Sequence, residues 1–283
     1  MNYTRSISIF FFRVIPKSLI SRIFGCIARI TLPNFLMNAF IRWYSGKYGV
    51  KEEYITPTGG FKTIDQFFTR RLRDGVLSTD RSVNCAVSPV DARIDQFGDI
   101  HDTTMIQAKG MEYSLRYLVP SETYRKFLWG KFMTLYLSPG DYHRIHSPVD
   151  GTVMGYFNIP GKLFTVQDWM SRGLPNLFAK NERLISYIES PIGIVAVCKI
   201  GALNVGRITL SYCTIRTNRT FRRRREFFFS PEDRVPVRAG DELGVFHLGS
   251  TIILLFQRGM ITFDTFKPGE RIRIGNRIGV LNN

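Results

Sequence analysis

Acidic residues are scarce in this chain relative to basic ones. It carries 39 Lys and Arg against 23 Asp and Glu, a net charge of +16, and residues 1–50 hold seven basic side chains and no acidic one. This imbalance predicts an anionic partner, which could be nucleic acid, an acidic lipid surface or an acidic substrate. The charge alone does not choose among these three.

Long hydrophobic runs are also missing from the N-terminal region. The longest uncharged apolar stretch there, residues 30–41, has 12 residues and includes Pro33. A helix that spans a bilayer needs about 20 residues, so no transmembrane helix is expected. No small-residue cleavage site follows an apolar core, so a signal peptide is not expected either.

Cysteines are few, and other cofactor signatures are absent from the sequence. The four cysteines form no C-x-x-C pair, which argues against a metal finger and predicts buried, reduced thiols in a reducing compartment. Neither a Gly-rich dinucleotide loop nor a P-loop is present. The pattern therefore gives no indication of a nucleotide cofactor.

The N-terminal region has an amphipathic segment. At 100° per residue, six apolar side chains fall within an arc of roughly 140°, with Arg22 and Arg29 outside it. The apolar set is Leu19, Ile20, Ile23, Phe24, Ile27 and Ile30. Such a helix either packs on its own domain or lies in a membrane interface. The lack of acidic residues favours the membrane.

The remaining pattern predicts an α+β fold, with a helical N-terminal portion and a β-rich core. We expect a membrane-associating region over residues 1–50 and a catalytic domain over residues 51–283. Thr63 should cap a helix over residues 64–72, and Ser121 should cap one over residues 121–129. Strands are expected over residues 132–137, 193–200 and 250–256, before a turn-rich tail over residues 266–281.

Two histidines three residues apart follow a Pro-Gly turn. His143 and His146 could bind zinc, but no further ligands lie at a usable spacing, so a metal is not expected. The pair suits general acid–base chemistry, and the alternative is that both are turn histidines with structural hydrogen bonds. The other two histidines, His101 and His247, have no comparable sequence context.

Two other segments offer an aspartate and a serine. Asp91 follows an apolar run that contains a proline, where it could cap a turn or orient an imidazole. Gly249 and Ser250 precede an apolar strand, either as an ordinary turn or as a reactive hydroxyl. The Gly-x-Ser-x-Gly elbow of hydrolases is absent, because Leu248 and Ile252 occupy the glycine positions. A glycine directly before the serine lets the serine oxygen approach the preceding carbonyl.

Together these segments resemble the phosphatidylserine decarboxylase family, whose hallmark is a Leu-Gly-Ser-Thr site near the C-terminus. Five more matches precede it in the family's order, and the resemblance covers about residues 60–283. They are residues 87–91, 109–115, 141–146, 181–183 and 205–206. The chain departs from the family pattern at Ala92, where glycine is usual, and at Arg207, where a small residue is common.

The resemblance implies a self-cleaving proenzyme. His146, oriented by Asp91, would take the proton of Ser250, whose oxygen then attacks the carbonyl of Gly249. Cleavage would leave a β chain of residues 1–249 and an α chain of residues 250–283 that begins with a pyruvoyl group. That group would bind phosphatidylserine as a Schiff base and release carbon dioxide and phosphatidylethanolamine, with His143 serving the decarboxylation step.

The expected partners follow from the same resemblance. They are phosphatidylserine, an anionic membrane surface and the two chains of one precursor, with a homodimer as a further option and no nucleic acid. The expected location is the cytoplasmic side of a bacterial-type cell membrane, as a peripheral protein, ahead of a mitochondrial inner membrane. A run of six arginines between Arg216 and Arg225 suits acidic lipid or the substrate phosphate.

Two alternatives of different classes remain open at this point. One is a serine hydrolase that uses Asp91, His146 and Ser250 without cleaving itself. The other is a basic binding module for lipid or nucleic acid, which would not need Ser250.

Overall fold

A computed structural model describes residues 17–107, 111–167, 170, 174–203, 207–218, 223–247 and 251–282. Three helices come first, and the second and third contribute to a small, mostly aromatic core whose members include Met37, Tyr44, Phe61, Phe67 and Phe68. The three are α1 (Lys17–Ile27), α2 (Asn34–Tyr48) and α3 (Ile64–Phe68). Helix α2 ends where Gly49 adopts a left-handed conformation with φ of 65°, which a residue without a Cβ adopts at no steric cost.

A large antiparallel sheet forms the body of the protein. Its main path runs in the order β11-β7-β8-β9-β14-β5-β2-β3-β4, with β12 beside β7 and β16 beside β2. The strands are β2 (Ala92–His101), β3 (Thr104–Gln107), β4 (Met111–Ser114), β5 (Lys131–Tyr136), β7 (Gly151–Ile159), β8 (Arg183–Ser190), β9 (Gly193–Ile200), β11 (Arg225–Phe228), β12 (Val235–Val237), β14 (Thr251–Phe256) and β16 (Arg271–Ile272).

Two three-stranded sheets complete the fold. One joins β1 (Cys85–Val87), β17 (Arg277–Leu281) and β15 (Ile261–Phe263), and the other joins β10 (Arg207–Leu210), β13 (Glu242–His247) and β6 (Arg144–His146). The short helices between strands are α4 (Leu115–Leu118), α5 (Leu177–Lys180) and the 3-10 turns Glu122–Phe127 and Pro231–Asp233.

Strand β14 lies at the centre of the large sheet, and this position explains its unbroken apolar sequence. All six of its residues are buried, and it pairs with β9 on one side and β5 on the other. A strand covered on both faces has no need of alternating polar residues. The sheet therefore anchors the chain immediately after Ser250.

The fold is mostly β-sheet with a few helices, as the α+β class predicts. The expected strand over residues 193–200 is confirmed with the same bounds, and those over 132–137 and 250–256 are observed as β5 and β14. Thr63 caps α3 by accepting a hydrogen bond from the Gln66 backbone, although the helix ends at Phe68 rather than at residue 72. In the described part of the chain, no helix is long and apolar enough to cross a membrane.

Two expectations about local structure are wrong. The second helix is a 3-10 turn over Glu122–Phe127, because the Ser121 hydroxyl donates to Glu226 on β11 instead of capping the turn. The cysteines are all free, but Cys26 is exposed and only Cys198 is fully buried. Cys26 lies on α1, several of whose apolar side chains are also exposed.

Candidate active site

The loop between β5 and β6 carries His143, β6 ends at His146, and the helical region holds the loop in place. The Tyr44 hydroxyl on α2 donates to the carbonyl of Pro139 at 3.0 Å. The buried Arg70 donates to the carbonyls of Gly140 at 2.9 Å and Asp141 at 3.0 Å. A Cβ at Gly140 would lie 2.2 Å from the carbonyl oxygen of Tyr48, so only glycine permits this contact.

His143 is completely buried and neutral. Its Nδ1 lies 2.7 Å from the carbonyl oxygen of Asp141. A carbonyl can only accept, so Nδ1 carries the proton and Nε2 keeps its lone pair. Burial, reinforced by the nearby Arg70 cation, lowers the pKa of His143 to about 3, although the hydrogen bond to Asp141 opposes the shift. Nε2 is buried without a hydrogen-bond partner among the described residues.

His146, at the end of β6, has the same arrangement. Its Nδ1 lies 2.6 Å from the carbonyl oxygen of Gly240, which again places the proton on Nδ1. Its Nε2 is buried and has no partner within the described part of the chain. Burial lowers the pKa of His146, and the Gly240 hydrogen bond partly offsets the effect. The ring is therefore a neutral imidazole ready to accept a proton at Nε2.

Asp91 lies two residues after the contact with the His146 backbone, and its carboxylate makes its hydrogen bond elsewhere. The backbone N–H of His146 donates to Pro89 at 2.9 Å, which aligns the Asp91 segment with the end of β6. The carboxylate accepts from the backbone N–H of Ile274 at 2.8 Å. Gly240, rather than Asp91, therefore provides the acceptor that orients the His146 ring in this structure.

Three participants in this site had no assigned role in the sequence. Gly240 acts through its carbonyl, which leaves no sequence signature. Arg70 lies in the stretch expected to be helical. Asp141 belongs to a family match, and its buried carboxylate pairs with Arg271 and accepts from the Ser138 backbone. Burial raises the pKa of Asp141, against the opposing effect of Arg271.

Both flanks of the predicted cleavage site reach this loop. Residues 248–250, which include Gly249 and Ser250, lie outside the described residues. On one side, the Phe246 backbone N–H donates to the carbonyl of His143 at 2.9 Å. On the other side, Thr251 stands opposite Tyr136, the last residue before the loop. The two histidines and the two ends of this short segment are thus brought together.

The arrangement supplies proton acceptors rather than metal ligands. In the described ranges, no group of three or more His, Cys, Asp or Glu side chains is placed to hold a metal ion. Three buried polar atoms, Nε2 of His143, Nε2 of His146 and Oγ1 of Thr251, have no partner among those residues. A buried polar atom without a hydrogen-bond partner lowers the stability of the fold. These three atoms are therefore suited to hydrogen-bond a polar reacting group made from Ser250, which is adjacent to Thr251 in the sequence.

Another family match, residues 181–183, is structural. Asn181 donates to the carbonyls of Phe164 and Gly201, and Glu182 accepts from the Asn218 backbone. Arg183 donates to four carbonyls, those of Tyr117, Leu118, Ala179 and Asn181. These side chains tie β8 to its neighbouring loops. Residues 109, 110, 205 and 206 of the remaining matches lie outside the described residues.

Comparisons with known proteins give the family. The family model of phosphatidylserine decarboxylase matches residues 64–280, more than half of the chain. A phosphatidylserine decarboxylase proenzyme from Myxococcus xanthus is 38% identical over 95% of this chain and 96% of its own length. Proenzymes of the same name from Nitrosospira multiformis and Anaeromyxobacter are 39% and 36% identical over similar spans.

The chain is therefore an enzyme of the lyase class that removes carbon dioxide. It belongs to the phosphatidylserine decarboxylase family, which confirms the resemblance seen in its motifs. These matches do not favour a serine hydrolase or a basic binding module.

Proposed function

We propose that the protein decarboxylates phosphatidylserine with a pyruvoyl group that it makes by cleaving its own chain between Gly249 and Ser250. The observation that carries this proposal is the pair of neutral histidines whose buried Nε2 atoms have no partner among the described residues. They lie three residues apart in the segment from Tyr136 to His146, which contacts both flanks of residues 248–250. A site that hydrolysed an external ester would need only one of them.

In the cleavage step, His146 is the base. Its bare Nε2 takes the hydroxyl proton of Ser250, whose oxygen attacks the carbonyl of Gly249 and displaces the Ser250 nitrogen, so that an ester replaces the peptide bond. Elimination then frees the carboxylate of Gly249 and leaves a dehydroalanine at position 250, which water converts to the pyruvoyl group with release of ammonia. The Gly240 carbonyl keeps the proton on Nδ1 while Nε2 reacts. Asp91 remains the proposed carboxylate of this set on the family resemblance. The carboxylates that raise the pKa of His146, and so favour its imidazolium, are Glu242 and Asp241.

In the decarboxylation step, His143 transfers the proton that replaces the lost carboxylate. A pyruvoyl carbonyl supplies the electron sink that the loss of carbon dioxide from an α-amino acid requires. Because His143 is neutral with a bare Nε2, it must first accept a proton before it can deliver one to the carbon that has lost its carboxylate.

The N-terminal helices hold this site at an anionic membrane surface. The predicted apolar arc on α1 is exposed: Ile23, Phe24, Ile27 and Ile30 each keep about half or more of their surface accessible. A helix packed on its own domain would bury that face. Arg22 and Arg29 flank the arc, which is the distribution expected of a helix lying among anionic headgroups. The substrate's acyl chains stay in the bilayer, so the active site has to reach that surface.

Carbon dioxide release from phosphatidylserine in detergent micelles, with and without borohydride, tests the function. The purified protein should release carbon dioxide and lose this activity after reduction, because borohydride converts the ketone to an alcohol. Ser250→Ala should be inactive before and after treatment. An active enzyme that borohydride leaves unaffected, or an active S250A protein, would contradict the proposal.

A further inference from the structure

Arg207 occupies a position beside the cleavage segment that the mechanism above does not use. It begins β10 and stands directly opposite His247 on β13. His247 is the last described residue before the segment that contains Gly249 and Ser250. Arg207 is also one of the two positions at which the sequence departs from the family pattern.

The hydrogen bonds of His247 take up the only nearby carboxylate within the described residues. Nδ1 of His247 lies 2.8 Å from Oδ1 of Asp65 on α3. A carboxylate accepts, so Nδ1 carries a proton and Nε2 accepts from the Thr209 hydroxyl at 3.2 Å. The structure therefore gives His247 defined hydrogen-bond partners, although its neighbours in the sequence did not indicate any.

This arrangement leaves the Arg207 guanidinium without a full set of acceptors. Its Nη2 lies 3.3 Å from Nδ1 of His247, which has no lone pair to offer in this tautomer. The same nitrogen forms an ion pair with Oδ2 of Asp65 at 3.9 Å, a distance too long for a hydrogen bond. Nε of Arg207 is buried and has no partner in the described part of the chain.

Two further cations lie near Arg207, both of them exposed. Burial lowers the pKa of Arg207 first, Asp65 raises it, and Arg29 and Arg216 lower it further. Arg216 is held close because its backbone pairs with that of Thr209 on β10. Arg29 follows the end of α1, whose apolar side chains are exposed. These three cations and the single carboxylate of Asp65 give this part of the surface a net positive charge, which suits an anionic lipid headgroup.

We propose that Arg207, together with Arg29 and Arg216, binds the phosphodiester of the phosphatidylserine substrate. Decarboxylation uses the amine and the carboxylate of the serine headgroup, which leaves the phosphodiester as the one charged group still to be recognised. A guanidinium presents its donors in a planar fork that matches phosphate oxygens. The assignment rests on the decarboxylation of phosphatidylserine and adds the subsite that selects a phosphorylated serine over free serine.

Arg207→Gln tests this subsite in two separate measurements. Self-cleavage, measured by intact mass, should proceed as in the unaltered protein. The KM for phosphatidylserine in neutral detergent micelles should rise about tenfold or more, because a hydrogen-bonded charge pair is lost, with a smaller change in kcat. Arg258→Gln removes an exposed arginine from the turn after β14 and should leave both measurements unchanged.

Soluble competitors show whether the phosphate itself is what Arg207 binds. Glycerophosphoserine should inhibit the unaltered enzyme competitively and inhibit R207Q about tenfold less well. Free serine and inorganic phosphate separate the two halves of the headgroup: R207Q should weaken inhibition by phosphate and leave inhibition by serine unchanged. An R207Q enzyme whose KM stays within about twofold, or whose inhibition by serine and by glycerophosphoserine weakens equally, would overturn the proposal.

Arg207→Lys provides a second test in case the Arg207→Gln protein does not fold. It keeps the charge but not the fork, so it should cleave itself and show an intermediate KM. If soluble, folded R207Q and R207K both remained uncut, Arg207 would belong to the cleavage step and the phosphate assignment would be wrong. If the unaltered protein released no carbon dioxide, by contrast, that result would count against the decarboxylase function itself.

Discussion

The chemistry of this protein depends on which nitrogen of each histidine carries a proton. At both His143 and His146 a backbone carbonyl accepts from Nδ1, so Nε2 is free to react. Burial lowers the pKa of each ring, which keeps both neutral at physiological pH. Two neutral bases three residues apart are consistent with the proposal that one serves cleavage and the other serves decarboxylation.

Substitution of the two histidines should separate these steps. His146→Ala should accumulate uncut chain, with cleavage slowed by about 10²–10⁴-fold, the usual contribution of a general base. His143→Ala should be cut at least in part, yet decarboxylate about 10²–10⁴-fold more slowly. Asp91→Ala should resemble H146A. Denaturing gels measure the cleavage and carbon dioxide release measures the reaction.

His101→Ala provides the control for these variants. His101 is exposed at the end of β2, so its removal should leave both steps unchanged. Normal cleavage in H146A and D91A would show that the assigned base and carboxylate are wrong. An H143A protein that was cleaved and fully active would remove His143 from the decarboxylation step.

The sequence indicated the proposed site residues, but not the hydrogen-bond partners that the structure gives them. His143, His146 and Asp91 stand in ordered motifs, and the structure places all three segments around one loop. The acceptor for His146 is a backbone carbonyl, and any residue type could supply it. Asp91 instead holds the Ile274 backbone, a contact 183 residues away along the chain, which local pattern does not predict.

At the scale of elements, long-range pairing overrides helix propensity after α3. The apolar pattern continues to residue 72, but the chain turns extended beyond Phe68. Ile55 and Arg73 donate backbone hydrogen bonds to Arg71 and Glu53, and Tyr54 forms a β-bridge with Leu72. These bonds pair the backbone N–H and C=O groups as a helix would. They leave the Arg70 side chain available to hold the loop between β5 and β6. Strand bounds were easier to predict, since β9 and β14 are apolar runs bordered by glycine.

The contact between α2 and the loop between β5 and β6 should be sensitive to the addition of one methyl group. Gly140→Ala would place a Cβ 2.2 Å from the Tyr48 carbonyl oxygen, a backbone atom that cannot move cheaply. We expect a loss of about 1–3 kcal/mol in the free energy of unfolding, the usual cost of overpacking, together with slower self-cleavage. Chemical denaturation and a cleavage time course measure the two effects.

Gly46→Ala is the matched control for that substitution. Gly46 lies within α2, and a Cβ there would have nothing within 4 Å. Alanine in a helix interior should stabilise the protein by about 0.5–1 kcal/mol and leave cleavage unchanged. Equal behaviour of the two variants would show that the α2–loop contact does not position the histidines.

The exposed face of α1 should determine membrane binding. The double variant Ile23→Ser and Ile27→Ser removes two side chains that are each 50% exposed. Binding to phosphatidylglycerol vesicles should fall about tenfold or more, since each isoleucine contributes about 1–2 kcal/mol when buried in the interface. Co-sedimentation across a salt series measures it, and added salt should weaken binding of the unaltered protein without abolishing it.

A second double variant controls for general loss of surface hydrophobicity. Val83→Ser and Tyr117→Ser change exposed apolar residues outside the N-terminal helices and should leave vesicle binding unchanged. If the α1 variant bound as well as this control, the membrane contact would lie elsewhere. The arginines between Arg216 and Arg225 would then be the next surface to alter.

At the scale of the whole molecule, the buried histidines make folding sensitive to acid. An unfolded chain takes up a proton at His143 near pH 6.5, whereas the folded protein keeps this ring neutral down to about pH 3. Between these values the unfolded state binds more protons, so the stability present above pH 6.5 is lost as the pH falls. The lowered pKa of His146 acts in the same direction.

The free energy of unfolding of an uncut S250A protein should therefore decrease between pH 6.5 and pH 4. Each buried histidine contributes a slope on the order of 1 kcal/mol per pH unit. Adding His143→Gln should remove one such contribution, and adding His101→Gln, at an exposed site, should not. Denaturation midpoints across this pH range decide the matter, and an unchanged slope in the H143Q protein would refute the assignment of a neutral buried ring.

Self-cleavage between Gly249 and Ser250 is the central claim, and intact mass spectrometry of the purified, folded protein tests it most directly. The account predicts two polypeptides, one of which spans residues 250–283 with a mass of about 4 kDa for an average composition. Its first residue should carry a ketone in place of the amine. A single unmodified chain of 32.6 kDa would contradict the account.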